Sequence, residues 1–260
     1  MSHEAPMASG PAVKPALVMH AQRALSTILV AATLAACSPP SGPRPAPVPA
    51  PVRYTQPSPD LTLGYTSDRH SMAFFLPTCV RQNDLEHCLQ IVFAIGAITE
   101  RTPEDFATFL RATAHLLPNG YTGQWVLGLD SPGGSVVAAL TLGRQIRTLG
   151  WNTVTGAPYP IAGTWVDAEC ASACVYVFAG GVKRAVGRDN ALSVHQFADG
   201  GAAHMNIAGA QYLSGVIGLY LAQMGVSANL QTVAALTLPN QLTPLTVQDA
   251  LTLGLATTRL

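Results

Sequence analysis

Apolar stretches alternate with amphipathic stretches along most of the chain. Residues 88–99 are a β-rich apolar run, and residues 102–117 then show apolar positions at helical spacing, a Thr cap and a proline in the first turn. The same order recurs in residues 124–134, a buried strand that ends in a Pro-Gly-Gly turn, and in residues 135–150, a helix closed by a glycine. These repeats predict strands that are connected by helices.

The second half of the chain continues this alternation. Residues 151–157 and 191–197 predict two further strands, and the small and apolar residues 171–181 predict a buried helix. A long helix is predicted over residues 206–225 and a short one over residues 246–255. We therefore expect one α/β domain over residues 61–260, in which helices cover a mainly parallel sheet.

The first 36 residues have a different pattern. Residues 24–36 are apolar or small and follow Arg23, and a run of this length is typical of a signal peptide rather than of a membrane span. A start at Met19 would leave the short basic segment that usually precedes such a run. We predict a signal region over residues 1–36, with Met19 as the candidate true start.

A tether is predicted next, over residues 37–60. The sequence LAAC at residues 34–37 resembles the lipobox of bacterial lipoproteins, in which cleavage precedes a cysteine that is then lipidated. A plain secretory peptide with an incidental Cys37 is the alternative. Proline recurs through residues 38–59 and favours an extended spacer, although a ligand for a recognition domain is also possible. We expect a periplasmic protein, lipid-anchored to a bacterial membrane.

Charge and cysteine content narrow the picture further. Lys plus Arg and Asp plus Glu number 14 each, so no net charge attracts nucleic acid. We predict neither a metal nor a cofactor. With Cys37 set aside, an even number of cysteines remains, which predicts disulfides in an exported protein and allows three pairings. These cysteines are Cys79, Cys88, Cys170 and Cys174. The sequence allows either a Cys170–Cys174 disulfide or a disulfide from Cys170 to Cys79 or Cys88. We expect these cysteines to have a structural role.

Three short segments carry candidate chemistry. The sequence SPGG at residues 131–134 lies between a predicted strand and helix, where spare backbone N–H groups can point at an anion. Ser172 lies at the start of the predicted buried helix, and His195 lies in the strand that follows it. Taken singly, these are an ordinary turn, a small residue that suits helix packing and a core histidine. Their order along the chain is more specific.

Together the segments LDSPGGSVVAALTLGRQIRTLG, CASACVYVFAGG and RAVGRDNALSVHQF resemble three consecutive signatures of the ClpP/crotonase superfamily. The resemblance covers roughly residues 88–257 and is to the exported Clp-protease-like serine peptidases. It implies repeated ββα units, hydrolysis of protein or peptide substrates in the cell envelope, and a homo-oligomer. A crotonase-type acyl-CoA enzyme fits less well, because a Ser-His pair is not the signature of that chemistry.

By matching position, the resemblance implies a role for each residue. Ser172 would be the nucleophile, His195 the general base that accepts its proton, and the N–H groups of Gly133 or Gly134 and of Ala173 the oxyanion hole.

The sequence departs from the family pattern at the third triad member. Residues 237–246 contain no acid, and Asn240 is the residue there that could orient the histidine. Asp199 or Asp249 could substitute, or the protein could use a Ser-His dyad; a Ser-Lys dyad would have to use Lys183. A catalytically inactive relative that binds or scaffolds through the same groove is the alternative function.

Overall fold

The computed structural model describes residues 71–76, 90–117, 119–161, 164–197 and 206–260. The chain divides into two compact units, Met1–Ala46 and Pro47–Leu260, and every described residue belongs to the second. The predicted signal region and tether, with Cys37, lie outside the described residues.

The strands are β1 (Ala73–Phe75), β2 (Ile91–Ile95), β3 (Val126–Asp130), β4 (Asn152–Thr155), β5 (Pro158–Ile161), β6 (Thr164–Asp167), β7 (Cys170–Ala171), β8 (Arg184–Val186), β9 (Leu192–Val194), β10 (Thr243–Leu245) and β11 (Thr258–Arg259). The helices are α1 (Thr102–Thr113), α2 (Val136–Thr148), α3 (Cys174–Ala179), α4 (Ile207–Met224), α5 (Asn229–Ala235) and α6 (Val247–Thr252). A 3₁₀-helix, Ala114–Leu116, follows α1.

The central sheet has the order β1-β2-β3-β4-β8-β11. Its first pair is antiparallel and its other neighbours are parallel, so the predicted mainly parallel sheet with helices is confirmed. A second sheet has the order β10-β9-β7, in which β7 runs parallel to β9 and β10 runs antiparallel to it. Strands β5 and β6 form a separate antiparallel pair.

Local sequence explains where the helices begin. The side chain of Ser135 accepts a hydrogen bond from the Ala138 N–H (3.2 Å), and that of Asn206 accepts one from the Gly209 N–H (2.8 Å), so both act as N-caps. Thr102, which the sequence predicts as a cap, is instead the first residue of α1. Strand β9 ends at Val194, so His195 follows the strand rather than lying within it as predicted.

The hydrophobic core lies between the central sheet and the helices α1, α2 and α3. Its fully buried side chains include Phe106, Leu127 and Leu142. Helix α3 is buried along its whole length. It approaches α2 so closely that a Cβ on Gly180, just after α3, would lie 2.3 Å from the carbonyl oxygen of Gly143. This contact between two glycines fixes the position of α3, and therefore of the residues that lead into it.

Within the described residues, no helix combines the length and the apolar character needed to cross a bilayer.

Candidate active site

Ser172 occupies a tight turn between β7 and α3. Its φ is 56°, in the left-handed region that residues with a Cβ rarely adopt. The Ser172 N–H donates to the Ser193 carbonyl (2.9 Å), and the Ser172 carbonyl accepts from the Val175 N–H (3.1 Å). The N-cap of α3 is Ala173, so Ser172 precedes the helix instead of forming its first turn. Backbone strain of this kind is found most often at functional sites.

The predicted glycine turn lies directly against Ser172. Gly133 and Gly134 follow β3 with φ angles of 95° and 139°. A Cβ on Gly133 would lie 2.7 Å from the Ser172 Cβ and 2.9 Å from the Ala173 nitrogen. A Cβ on Gly134 would lie 2.0 Å from the carbonyl oxygen of Ile98. Only glycine fits at these two positions, because both the space and the backbone angles exclude a side chain.

Two backbone N–H groups beside Ser172 are available as donors. The Gly133 N–H donates to Ser131 Oγ (3.1 Å). The N–H groups of Gly134 and Ala173 donate to no other described residue. Of the two glycines that the sequence left as alternatives, Gly134 is therefore the one whose N–H is free to bind an oxyanion together with that of Ala173.

His195 directly follows β9, and β9 lies next to β7, the strand that leads into Ser172. Strands β7 and β9 are parallel, with Ala171 opposite Ser193, so both site residues follow the carboxyl ends of adjacent strands. The segment after His195 is held by Gln196, whose N–H donates to the Thr237 carbonyl (3.0 Å) and whose Nε2 donates to the Ala235 carbonyl (2.6 Å). No hydrogen bond between described residues joins the Ser172 hydroxyl to the His195 ring.

A cavity of about 240 Å³ adjoins the histidine. Its lining includes His195, Phe197 and Tyr176, together with Ser214 of α4 and Gln231 of α5. Burial raises the pKa of Tyr176 to about 12, so its phenol stays protonated at neutral pH. The cavity thus offers a mainly apolar space with a few polar groups beside the proposed base.

The third member of a triad is not formed by the described residues. His195 Nδ1 is buried and has no hydrogen-bond partner among them. Asn240 lies in an exposed turn and makes no hydrogen bond to His195. Thr243 pairs with Val194, the last residue of β9, so Leu242 precedes this last observed pair on one strand and His195 follows it on the other. Leu242, which is 53% exposed, is therefore the residue beside this pair at which a carboxylate can be introduced as a test.

Of the other residues that the sequence offered, Asp249 and Lys183 do not fill this position. Asp249 forms a capping box with Thr246, and those hydrogen bonds from the side chain and backbone of Thr246 lower its pKa. Asp199 lies outside the described residues. Lys183 is exposed and directly precedes β8, whereas Gly133 follows the carboxyl end of the parallel strand β3. Lys183 therefore lies at the amino ends of the parallel strands, and the glycine turn lies at their carboxyl ends.

Cys170 and Cys174 form a disulfide, with 5.2 Å between their Cα atoms. This is one of the pairings that the sequence left open. Cys79 and Cys88 lie outside the described residues. No group of three or more His, Cys, Asp or Glu side chains in the described ranges could hold a metal ion.

Comparison with known proteins identifies similar folds only. No protein-family model matches the sequence, and no curated protein matches it. Among solved structures, ClpP1 from Listeria monocytogenes has a TM-score of 0.50 and 16% identity, covering 70% of this chain and 95% of that chain. A mutant of the same ClpP1 gives a TM-score of 0.50 and 17% identity at the same coverage. A mutant of the membrane-bound stomatin-specific protease 1510-N gives 0.43 and 17%, covering 65% of this chain and 77% of that chain. The protein therefore has a ClpP-like fold.

Proposed function

We propose that this protein is a serine peptidase of the bacterial cell envelope that hydrolyses peptide bonds with Ser172 as nucleophile. One observation carries the proposal. Ser172, in a left-handed turn, packs against a glycine turn, and two N–H groups beside it, those of Gly134 and Ala173, have no partner among the described residues. The ClpP-like fold is compatible with this activity.

The geometry suits acyl transfer. Ser172 Oγ attacks the substrate carbonyl carbon while its proton passes to the His195 ring, and the resulting oxyanion accepts hydrogen bonds from the Gly134 and Ala173 N–H groups. Each such donor typically lowers the barrier by about 3 kcal/mol. His195 then returns the proton to the leaving amine, and water releases the acyl group by the same steps. In serine hydrolases without substrate the Ser-His hydrogen bond is often long or unformed, and it tightens on binding.

Location and assembly are part of the same proposal. A lipidated Cys37 and the proline-rich residues 38–59 would hold the domain close to a membrane, where envelope proteins or peptides are its substrates. Exposed apolar side chains on α4 support self-association. They are Ile207, Tyr212 and Leu219.

Labelling with a fluorophosphonate tests the nucleophile. We expect the purified protein to be labelled at Ser172 and the Ser172→Ala variant to lose both labelling and hydrolysis, with an unchanged circular dichroism spectrum. Ser214→Ala is the matched control, since Ser214 lies on α4 and lines the cavity beside His195 but is not part of the Ser172 turn, and it should label as the parent does. Label that persists in Ser172→Ala, or that maps to another serine, would contradict the proposal.

A catalytically inactive binding protein is the second candidate, and the unpartnered His195 Nδ1 favours it. The substitution Leu242→Asp distinguishes the two, because it introduces a carboxylate next to Thr243, which pairs with the residue before His195. If the site is built for catalysis, we expect the labelling rate to rise by about tenfold or more, since a positioned acid fixes the tautomer and stabilises the imidazolium.

Leu238→Asp is the control for this variant, since Leu238 is 52% exposed in the same connection but is not next to Thr243. It should leave the labelling rate within about twofold of the parent. Absence of labelling in the parent and in both variants would favour the binding protein.

A further inference from the structure

The disulfide encloses the proposed nucleophile. The bond between Cys170 and Cys174 closes a ring that spans only Ala171, Ser172 and Ala173, with Ser172 in the middle. Cys170 belongs to β7, Cys174 is the first residue of α3, and both are 0% exposed. The bridge therefore links the strand to the helix directly across the turn that presents the serine hydroxyl.

The turn needs such a constraint. Ser172 has a left-handed backbone although it carries a Cβ, and this conformation persists only where the surroundings impose it. One hydrogen bond to Ser193 holds it on the strand side, and one from Val175 holds it on the helix side. The N-cap of α3, Ala173, supplies no side-chain hydrogen bond, so the disulfide is the covalent restraint at this end of the helix.

The other end of α3 is held independently. Arg147 donates to the carbonyls of Ala179 (3.2 Å), Gly180 (2.9 Å) and Gly181 (2.9 Å), and Arg184 donates to that of Gly181 (2.9 Å). Loss of the disulfide would therefore release the turn at Ser172 while the helix stays in the core. The contact between Gly133 and Ser172 is so close that a small shift of the turn moves the hydroxyl relative to the oxyanion donors.

We propose that the Cys170–Cys174 disulfide positions Ser172 for catalysis, so that the active form of the site is the oxidised one. The inference rests on the proposed function, which supplies the reaction that Ser172 performs. In the oxidation, the two thiols give up two electrons and two protons to a protein disulfide of the exporting compartment, which becomes a dithiol. A dithiol reductant reverses the step and returns the site to its poorly reactive form.

The test compares the full chain with its Cys170→Ala/Cys174→Ala variant. We expect the maximal rate of fluorophosphonate labelling at Ser172 to fall at least about tenfold, because misplacing a reacting atom by about 1 Å costs up to a hundredfold. The reagent concentration for half-maximal rate should stay within about twofold, since the binding surface is retained. Amide hydrogen exchange at residues 172–175 should rise, while the circular dichroism spectrum stays that of a folded protein.

Phe109→Leu is the control for lost stability alone. Phe109 is fully buried in α1, away from the turn, so this variant should lose stability but keep the parent's labelling rate and its exchange at residues 172–175. A second measurement uses the parent chain reduced with dithiothreitol, with free thiols counted by mass spectrometry. Reoxidation should restore the labelling rate. If the double variant fails to fold, this comparison of the reduced and reoxidised parent tests the positioning role instead.

The outcomes separate the two proposals. If the parent is labelled and the disulfide-free forms are labelled at the same rate, the positioning role is wrong while the peptidase proposal stands. If the parent is not labelled at Ser172, the peptidase proposal fails. The positioning role of the disulfide is then tested by amide hydrogen exchange only. Unchanged exchange at residues 172–175 after loss of the disulfide would then overturn it, and raised exchange would support it.

Discussion

Ser172 and Gly133 pack against each other so closely that Gly133 has no room for a side chain. The serine is held in a left-handed turn, and the glycine lies so close that a methyl group on it would overlap the serine Cβ. The two N–H groups that remain available are backbone groups, so their position depends on the turn rather than on any side-chain rotamer. The chemistry of the site is thus determined by backbone geometry at a few positions.

Gly133→Ala tests this dependence. The added Cβ would lie 2.7 Å from both the Ser172 Cβ and the Ala171 carbonyl oxygen, so the turn must shift. We expect the labelling rate at Ser172 to fall roughly a hundredfold. Gly150→Ala is the matched control, because Gly150 also has a positive φ (72°) but nothing lies within 4 Å of its added Cβ. That variant should lose about 1 kcal/mol of unfolding free energy and keep its labelling rate. Equal loss of labelling in both variants would contradict the interpretation.

Helix α3 is the element that carries this geometry, and two arginines, the half-buried Arg147 and the buried Arg184, hold its C-terminal end. Arg184 donates to the carbonyls of Gly181, Gly254 and Leu255, each at 2.8 to 2.9 Å. Desolvation by burial lowers its pKa, and the charge of Arg147 lowers it further. The bond to Gly181 satisfies a carbonyl at the end of the buried helix α3 and complements its dipole, and the bonds to Gly254 and Leu255 tie this end to the segment after α6.

Arg184→Met should therefore destabilise the domain. The substitution leaves the Gly254 and Leu255 carbonyls without their donor and removes one of the two donors to the Gly181 carbonyl. We expect a loss of about 3 kcal/mol, which corresponds to roughly 6 to 12 °C in Tm for a domain of this size. Thermal denaturation followed by circular dichroism measures the change. Arg111→Met is the control, since Arg111 is exposed and bonds only to Thr108 among the described residues, and its Tm should change by less than about 2 °C. A similar Tm for both variants would show that the contacts of Arg184 contribute little.

The elements that the sequence predicted are those with strong local signals. The helix over residues 206–225 corresponds closely to α4, because an Asn cap and a terminal Gly225 mark its ends. Strand β10 was missed because it has three residues and contains Pro244, which gives no periodic signal. The consequence for the site was larger, since the pairing of β10 with β9 brings Leu242 next to the end of the strand that His195 follows. Register of this kind depends on long-range pairing and cannot be read from local pattern.

The cysteine pairing illustrates the same limit at the site. Spacing alone allowed Cys170 to reach Cys174 or a distant cysteine, and the choice depended on where β7 ends and α3 begins. The left-handed φ of Ser172 was likewise missed, because serine carries no signal for that conformation. The placement of the glycine turn and the histidine was predictable, since both follow segments with a clear apolar pattern, whereas the two-residue strand β7 before Ser172 gives no such pattern.

The whole molecule combines this domain with an N-terminal segment of different composition. The described residues all lie in the unit Pro47–Leu260, and the segment before it contains Cys37 and leads into the proline-rich residues 38–59. Such a spacer favours an extended chain of about 3 Å per residue. If Cys37 is lipidated, as we propose, a domain on such a tether would work within a short distance of the membrane, which fits the proposed peptidase activity on envelope proteins.

Cys37→Ala tests the anchor. If Cys37 is lipidated, the parent should partition into the detergent phase of a Triton X-114 separation, because each buried CH₂ of an acyl chain contributes about 0.8 kcal/mol to membrane binding. The variant lacks the thiol that carries the lipid, so we expect it in the aqueous phase or retained as an uncleaved precursor. Ser41→Ala, which alters the same segment without touching the thiol, should stay in the detergent phase. Mass spectrometry of the parent should show a mature chain that begins at a lipidated Cys37. An unmodified protein that begins elsewhere would mean that the hydrophobic run is a plain secretory signal and that the domain is not anchored at this cysteine.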